Sequence, residues 1–233
     1  MGNLAELRVS FDNFSSVVAG LVEAGRSFYQ RGWVFGTAGN FSTVLSRAPL
    51  RLAITASGLH KGELEERDFL IVDESANVLT GAGRPSAETA LHIAIAQSTG
   101  ANAILHTHSV WATILSEAHA AEGGMALNGY EMLKGLSGVT THEHREWIPI
   151  FENTQTYSPL ARAMSDLLVE DPGIHGILLR RHGLYTWGKE IFEARRHIEI
   201  LEFLFEVTGR LHLNAGGEAH GGSYTYQRKP DLQ

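Results

Sequence analysis

The pattern of hydrophobic and polar positions predicts five helices along the chain. In the first of them, residues 11–30, apolar side chains fall three or four positions apart, which predicts an amphipathic helix that ends near Gly32. Residues 86–97, 110–117, 158–169 and 191–211 are the other predicted helices, and the last of them is rich in Glu and Arg. Ser86 is the expected N-cap of the second helix, because a serine hydroxyl at that position can accept a bond from an unpaired backbone N–H.

Short apolar runs bounded by turn residues predict strands between these helices. The predicted strands are residues 41–45, 52–55, 69–73, 103–106, 148–151, 174–179 and 184–187, with turns at 47–49, 57–58 and 81–85. Strands mixed with helices, without strict alternation, predict a single layered α/β domain. We expect this domain to span residues 1–213, followed by a polar, Gly-rich tail at residues 214–233.

The composition narrows the class of protein. The chain has 233 residues, 43% hydrophobic and 19% charged, which is typical of a globular domain large enough to bury a core. No apolar run reaches the roughly 20 residues that cross a bilayer, and the charges of Glu6 and Arg8 argue against a secretory signal. A net charge of −7 without a basic cluster argues against nucleic-acid binding. We therefore expect a cytoplasmic protein.

Three histidines are the candidate metal ligands. Because the chain has no cysteine, any metal must bind imidazole or oxygen. His106 and His108 follow an apolar strand at alternate positions, so both point to one face. His182 lies between two later strands. Two strand-end histidines can also be ordinary, but three imidazoles leave an open coordination position, which is typical of catalytic zinc.

Other polar residues are weaker candidates. The loops at residues 36–40 and 55–58 offer backbone N–H groups and hydroxyls to a phosphate, although simple turns have the same composition. Lys61 and Arg84 are nearby cations. Glu131 lies close to Lys134, as in many surface pairs, and Glu88 falls in the first turn of a predicted helix, where a carboxylate is favoured in any case.

Over residues 11–209 these segments resemble the class II aldolase/adducin family, in its methylthioribulose-1-phosphate dehydratase branch. The matching motifs, in order, are GNFS at 39–42, SGLHKGEL at 57–64, RPSAET at 84–89, HTHS at 106–109, YEMLKG at 130–135 and RHGLYTWG at 181–188. The His-Thr-His motif at 106–108 and the His-Gly motif at 182–183 are typical of the whole superfamily. The second, fifth and sixth motifs resemble the dehydratase branch in particular. Trp111 departs from the smaller or polar residue expected after the fourth motif.

The resemblance implies a catalytic domain of class II aldolase type, with a central, mainly antiparallel sheet between helices, and a homotetramer with sites at subunit interfaces. It implies one Zn²⁺ per subunit on His106, His108 and His182. The implied substrate- and phosphate-binding residues are Thr37, Gly39, Asn40, Ser57, Gly58, Lys61 and Ser86. Glu131 matches the acid/base of the dehydratases and Glu88 matches the aldolase carboxylate, so the division of roles between them stays open.

The reaction that the resemblance implies is loss of water from 5-methylthioribulose 1-phosphate, giving 2,3-diketo-5-methylthiopentyl 1-phosphate in methionine salvage. Zinc would polarise the C2 carbonyl and acidify the C3 proton, which a carboxylate takes before the C4 hydroxyl leaves. Two alternatives stay open. One is an aldolase or 4-epimerase acting on another sugar phosphate, and the other is a non-catalytic, adducin-like module.

Overall fold

The computed structural model describes residues 14–217, which form five α-helices, four 3-10 helices and nine strands. The α-helices are α1 (Phe14–Gln30), α2 (Thr89–Thr99), α3 (Val110–Ala118), α4 (Tyr157–Glu170) and α5 (Ile191–Gly217). The 3-10 helices are Lys61–Glu63, Glu66–Asp68, Ala120–Glu122 and Glu131–Gly135. Within residues 14–217, no helix is both long enough and apolar enough to cross a membrane.

All nine strands belong to one sheet. They are β1 (Asn40–Arg47), β2 (Leu50–Thr55), β3 (Phe69–Asp73), β4 (Val78–Thr80), β5 (Ala103–Thr107), β6 (Gly124–Asn128), β7 (Arg145–Phe151), β8 (Gly176–Leu179) and β9 (Gly183–Gly188). The strand order is β4-β3-β2-β1-β5-β9-β8-β7-β6, and only the β7–β8 pair is parallel. The expected mixed α/β fold with a mainly antiparallel central sheet is therefore confirmed.

Helices cover both faces of the sheet. In β5, Ala103 and Leu105 pack with α1, α3 and α5, whereas Ile104 between them packs with α2 and α4 on the opposite face. This alternation follows from the two-residue period of a strand. Burial on both faces explains why the central strands are continuous apolar runs in the sequence.

Several predicted boundaries change. Ser86 is not the N-cap of α2: the cap position is Glu88, and the Ser86 hydroxyl instead accepts the Glu88 backbone N–H at 3.2 Å. A local serine turn therefore replaces the first predicted helical turn. The last helix continues to Gly217, so the first four residues of the predicted tail are helical. Residues 1–13 and 218–233 of the predicted domain and tail lie outside the described residues.

Two strands were missing from the prediction. β4 has three exposed residues and therefore no buried face to give a pattern. β6 has a very short apolar run, and its pairing with β7 decides its conformation. Trp111 packs on α5, where a Cβ on Gly209 would collide with its ring.

Candidate metal site

The three histidines meet at one end of the central strands. His106 is the fourth residue of β5 and pairs with Asn40 of β1 and with Tyr185 of β9. His108 directly follows β5, and its backbone N–H donates to the Trp33 carbonyl at 2.8 Å. His182 lies in the tight turn between β8 and β9. Because β5 and β9 are hydrogen-bonded neighbours, this turn carries His182 back over the end of β5.

Two glycines permit this close packing. Gly39 has φ +75°, and a Cβ there would collide with the carbonyl of His106. A Cβ on Gly183 would collide with the carbonyl of Thr107. Larger residues at either position would push neighbouring strands away from β5 and move its histidines. This explains the glycine that directly precedes Asn40 and the glycine that directly follows His182.

The Nε2 atoms of the three rings converge. His106 and His108 Nε2 are 2.8 Å apart, and His182 Nε2 lies 3.1 Å from that of His108 and 3.3 Å from that of His106. His106 Nδ1 faces the Leu184 carbonyl at 3.0 Å, and His182 Nδ1 faces Asn153 Oδ1 at 3.2 Å. Each Nδ1 therefore faces an acceptor, which suits a metal-binding tautomer with the proton on Nδ1 and the Nε2 lone pair directed toward the other two rings.

This donor set fits a metal ion. Burial lowers the pKa of His106 well below its ordinary value and that of His108 to about 4, so both rings are neutral at pH 7, as a metal ligand must be. Lone pairs at these separations repel each other unless a positive charge lies between them. Within the described residues, these three histidines form a group that could hold a metal ion.

Glu88 lies beside the histidines. Its carboxylate oxygens are 3.1 Å from His182 Nε2 and 3.7 Å from His106 Nε2, and only a cation or a protonated ring makes this approach favourable. Burial acts to raise the pKa of Glu88, but the facing rings of His182 and His106 and the bond donated by Asn40 hold it well below its ordinary value. Glu88 is therefore a buried, ionised carboxylate at the candidate metal site.

A chain of buried side chains orients Glu88. Asn40 Nδ2 donates to Glu88 Oε2 at 2.6 Å, and Asn40 Oδ1 accepts from His92 Nε2. His92 Nδ1 in turn accepts from the Ser42 hydroxyl at 2.7 Å. Burial lowers the pKa of His92 to about 4, which keeps the ring neutral, with one donor and one acceptor nitrogen. The amide of Asn40 is thereby held with its nitrogen toward the carboxylate. We call Ser42, His92 and Asn40 the relay.

A cavity of about 330 Å³ opens beside Glu88 and His108. All seven residues predicted to bind substrate or phosphate line it: Thr37, Gly39, Asn40, Ser57, Gly58, Lys61 and Ser86. The buried Lys61 ammonium donates to the carbonyls of Thr37 and Leu59 at 3.1 and 2.7 Å. Burial lowers its pKa to about 8, against the opposing charge of Glu88. The cavity therefore combines hydroxyls, backbone donors and one ammonium group next to three imidazoles.

Glu131 has a different environment. It begins the 3-10 helix Glu131–Gly135, is exposed, and pairs with Lys134 at 2.6 Å. It is not among the residues that line the cavity of its own chain. The structure therefore brings Glu88, but not Glu131, next to the histidines of the same chain.

Sequence reasoning missed four residues of this site. Tyr157 lines the cavity from the start of α4, and no local pattern marks it. Asn153 holds His182, again without a signal. Tyr185 stacks on His106 with ring centroids 3.9 Å apart, and its position in the motif at residues 181–188 could have indicated it. His92 lies four residues after Glu88, the spacing of neighbours on one helical face.

Comparisons with known proteins identify the family of the chain. The family model described as the Class II Aldolase and Adducin N-terminal domain matches residues 19–208. A methylthioribulose-1-phosphate dehydratase from Methylococcus capsulatus is 44% identical over 200 residues, covering 85% of this chain and 96% of the relative. Another methylthioribulose-1-phosphate dehydratase, from Sorangium cellulosum, is 46% identical over 200 residues, covering 84% of this chain and 93% of the relative.

Solved structures share the fold at lower identity. An L-fuculose 1-phosphate aldolase has a TM-score of 0.71 at 24% identity, covering 87% of this chain and 88% of that one. The L-fuculose-1-phosphate aldolase from Thermus thermophilus has a TM-score of 0.69 at 23% identity, covering 87% and 98%. At these identities the likeness concerns the fold alone.

Proposed function

Because the chain belongs to the class II aldolase and adducin family, in its methylthioribulose-1-phosphate dehydratase branch, we propose that it dehydrates 5-methylthioribulose 1-phosphate to 2,3-diketo-5-methylthiopentyl 1-phosphate. The observation that supports this proposal most directly is the convergence of three imidazoles and an ionised carboxylate beside a cavity lined by hydroxyls, backbone N–H groups and one ammonium group. This chemistry belongs to methionine salvage. We also propose a cytoplasmic enzyme that works as a homotetramer.

We propose that the metal is Zn²⁺, one per subunit, held by His106, His108 and His182. Three neutral imidazoles with one open coordination position are typical of catalytic zinc. When bound, the ion supplies Lewis-acid polarisation of the substrate carbonyl. Leu184 and Asn153 hold two of the rings by their Nδ1 atoms, which keeps Nε2 directed at the ion.

The phosphate of the substrate binds in the cavity. Backbone N–H groups of the Gly39 and Gly58 loops and the hydroxyls of Thr37, Ser57 and Ser86 supply hydrogen bonds there. The Lys61 ammonium adds a positive charge within a largely buried setting, where it is screened little by solvent. The Asn40 side chain is already bonded to Glu88 and His92, so we expect it to act mainly on the carboxylate rather than on the phosphate.

Glu131 is the proposed acid/base. As a carboxylate it can take the C3 proton and, once protonated, return a proton to the departing C4 hydroxyl. It is exposed and lies outside the cavity of its own chain, which fits the family's placement of sites at subunit interfaces. We therefore propose that Glu131 completes the site of a neighbouring subunit. Glu88, the rival, would then orient His182 and the metal.

Complementation between subunits tests the shared site. Glu131→Gln and His106→Ala should each be inactive alone. When the two variants are unfolded and refolded together, mixed tetramers should regain activity, because some sites then combine an intact histidine trio with an intact Glu131. A mixture that stays inactive, although hybrid tetramers are present by native mass spectrometry, contradicts a site shared in this way.

Proton exchange assigns the base. Substrate incubated in deuterated water exchanges its C3 proton whenever the base works, even if no water is lost. Glu131→Gln should abolish this exchange and lower kcat by about 10²–10⁴-fold while metal binding is retained. If Glu88→Gln abolishes the exchange and Glu131→Gln does not, the base is Glu88.

A substrate panel tests the function itself. The zinc-loaded protein is given 5-methylthioribulose 1-phosphate, fuculose 1-phosphate and ribulose 5-phosphate, and the products are identified by mass spectrometry. The proposal requires the highest kcat/KM for the first substrate, with loss of one water. Cleavage of fuculose 1-phosphate would indicate the aldolase, and epimerised ribulose 5-phosphate the epimerase. A native protein that binds no metal and converts none of them would indicate the adducin-like module.

A further inference from the structure

A second group of histidines surrounds Glu146, apart from the candidate metal ligands. Glu146 lies near the start of β7 and is almost fully buried. His175 Nδ1 and His144 Nε2 lie 3.0 and 2.8 Å from its Oε2, and the backbone N–H of His175 donates to Oε1 at 3.0 Å. None of these three residues lines the substrate cavity or belongs to the metal trio. The proposed reaction does not yet account for this buried ion pair.

The cluster holds the backbone of Ser137 from both sides. His175 Nε2 donates to the Ser137 carbonyl at 2.8 Å, and the Ser137 N–H donates to His197 Nε2 at 3.1 Å. His197 Nδ1 faces the carbonyl of Trp187 at 2.8 Å. The ring centroids of His175 and His197 are 5.2 Å apart. We call His175, Glu146 and His197 the clamp.

The hydrogen bonds require opposite protonation states in the two rings. Both nitrogens of His175 face acceptors, the Glu146 carboxylate and the Ser137 carbonyl, so this ring makes both bonds only as an imidazolium. His197 faces one acceptor and one N–H donor, so it makes both bonds only as a neutral ring. The clamp is complete when His175 is charged and His197 is not.

Ser137 belongs to the loop that carries Glu131. This loop, residues 129–144, joins β6 to β7, and a bond from the Gly129 N–H to the His142 carbonyl at 3.1 Å closes its base. Within it, the Leu133 and Leu136 N–H groups bond back to Tyr130 and Leu133 at 3.1 and 2.9 Å. The two hydrogen bonds that fix the Ser137 backbone therefore also restrain a short, internally hydrogen-bonded segment that begins next to Glu131.

Packing supports the same role. Leu133 and Leu136 are buried in the core on the side of α5, and a Cβ on Gly135 would collide with Ile200 of that helix. The segment therefore lies directly on α5, the helix that supplies His197. The apolar contacts hold the segment against α5, and the two hydrogen bonds to Ser137 hold its backbone in place.

We propose that the clamp positions Glu131 for the reaction and confines full activity to the pH range in which His175 is charged and His197 is neutral. This inference rests on the proposed function, in which Glu131 is the acid/base. The clamp residues are positioning residues, because they act on Glu131 through the Ser137 backbone and the segment from 130 to 136.

The direction of the pH dependence follows from the two rings. Burial lowers the pKa of His175, but its hydrogen bond and ion pair with Glu146 outweigh burial and raise it. Its bond to Ser137 is therefore complete below the ordinary histidine pKa and is lost as pH rises through the raised value. Burial lowers the pKa of His197 to about 4, so its bond is lost as pH falls through about 4.

Other charges act on the same rings. Glu193 raises the pKa of both, and Arg196 lowers that of His197. His144 shares the Glu146 carboxylate from its more exposed side and does not contact Ser137. His144 is therefore a matched control, because its substitution perturbs the same carboxylate while leaving both bonds to Ser137 in place.

The test compares His175→Gln with His144→Gln. For each variant, kcat and KM for 5-methylthioribulose 1-phosphate are measured between about pH 6 and 9, together with bound metal. His175→Gln should lower kcat by up to about 100-fold, the size expected for a misplaced catalytic group, with KM and metal content near the wild-type values. It should also lose the alkaline limb of the kcat profile, whereas His144→Gln keeps it.

Hydrogen–deuterium exchange supplies a readout that needs no activity. Amides of residues 129–142 should exchange faster in His175→Gln than in wild type or His144→Gln. A wild-type protein without dehydratase activity would sink the proposed function, and unchanged exchange would independently sink the clamp. Faster exchange with a wild-type kcat and pH profile would overturn the positioning role, as would equal losses in both variants.

A second pair of variants decides the matter if His175→Gln does not fold. In His197→Gln the side-chain oxygen can still accept the Ser137 N–H, whereas His197→Leu removes that acceptor. The proposal requires a lower kcat and faster loop exchange in His197→Leu than in His197→Gln. Equal behaviour of the two variants would overturn it.

Discussion

Replacing His92 by phenylalanine tests whether the relay orients Glu88. Phenylalanine keeps a ring of similar size in this fully buried position but can neither donate to Asn40 nor accept from Ser42. Two buried polar groups then lose their partners, the Asn40 carbonyl oxygen and the Ser42 hydroxyl. At about 1–3 kcal/mol for each orphaned group, the free energy of unfolding should fall by about 2–6 kcal/mol.

The relay makes a sharper prediction for the double variant. Ser42→Ala alone orphans only His92 Nδ1 and should cost about 1–3 kcal/mol. Added to His92→Phe, it removes one orphaned group, so the double variant should be more stable than His92→Phe alone. Urea denaturation of the metal-free proteins at one protein concentration measures all four members of this cycle.

Metal affinity provides the functional side of this experiment. Without His92, the Asn40 amide can rotate, and the Glu88 carboxylate loses a fixed donor. We expect zinc affinity, measured by competition with a chelator, to fall by about 10–100-fold. Additive stability losses in the cycle, or a His92→Phe protein with wild-type stability and zinc affinity, would refute the reasoning.

The remaining predictions concern the metal, the phosphate and the turn that carries His182. His108→Ala should lose most bound zinc by elemental analysis while its circular dichroism spectrum stays that of wild type, and full zinc content would count against the ligand set. Ser57→Ala should mainly raise KM, because a phosphate bond helps ground and transition states alike; a collapse of kcat at constant KM would point to another role. Glu117 bonds both arginines that precede His182, so Glu117→Gln should weaken zinc binding up to about tenfold, whereas the exposed Glu152→Gln should not.

Local patterns predicted much of the fold because the central strands are buried on both faces. A short apolar run such as the one before His106 is typical of a strand buried on both faces. The end of such a strand is where polar side chains can lie close together. The predicted helices at residues 11–30 and 158–169 likewise show a clear 3.6-residue apolar period, whereas α2 shows almost none. β4 and β6 lacked such a signal, because one is exposed and the other is short.

The site was predictable only where its residues form compact motifs. The histidine trio and the two glycine loops stand in such motifs, and the structure places the trio beside the cavity that the two loops line. The Ser86 cap was wrong because two geometries, an N-cap and a local serine turn, suit the same residue. The relay could not be predicted, since Asn40 and His92 are 52 residues apart and meet only through β1 and α2.

The identity of the substrate bond that breaks, the C4–O bond or the C3–C4 bond, tests the central claim most directly. The zinc-loaded protein is incubated with 5-methylthioribulose 1-phosphate in deuterated water, and the products are followed by NMR. Dehydration predicts a single diketone product that retains all five carbons and carries deuterium at C4, where the enol takes up a proton from solvent. Cleavage between C3 and C4, giving dihydroxyacetone phosphate and methylthioacetaldehyde, would contradict it.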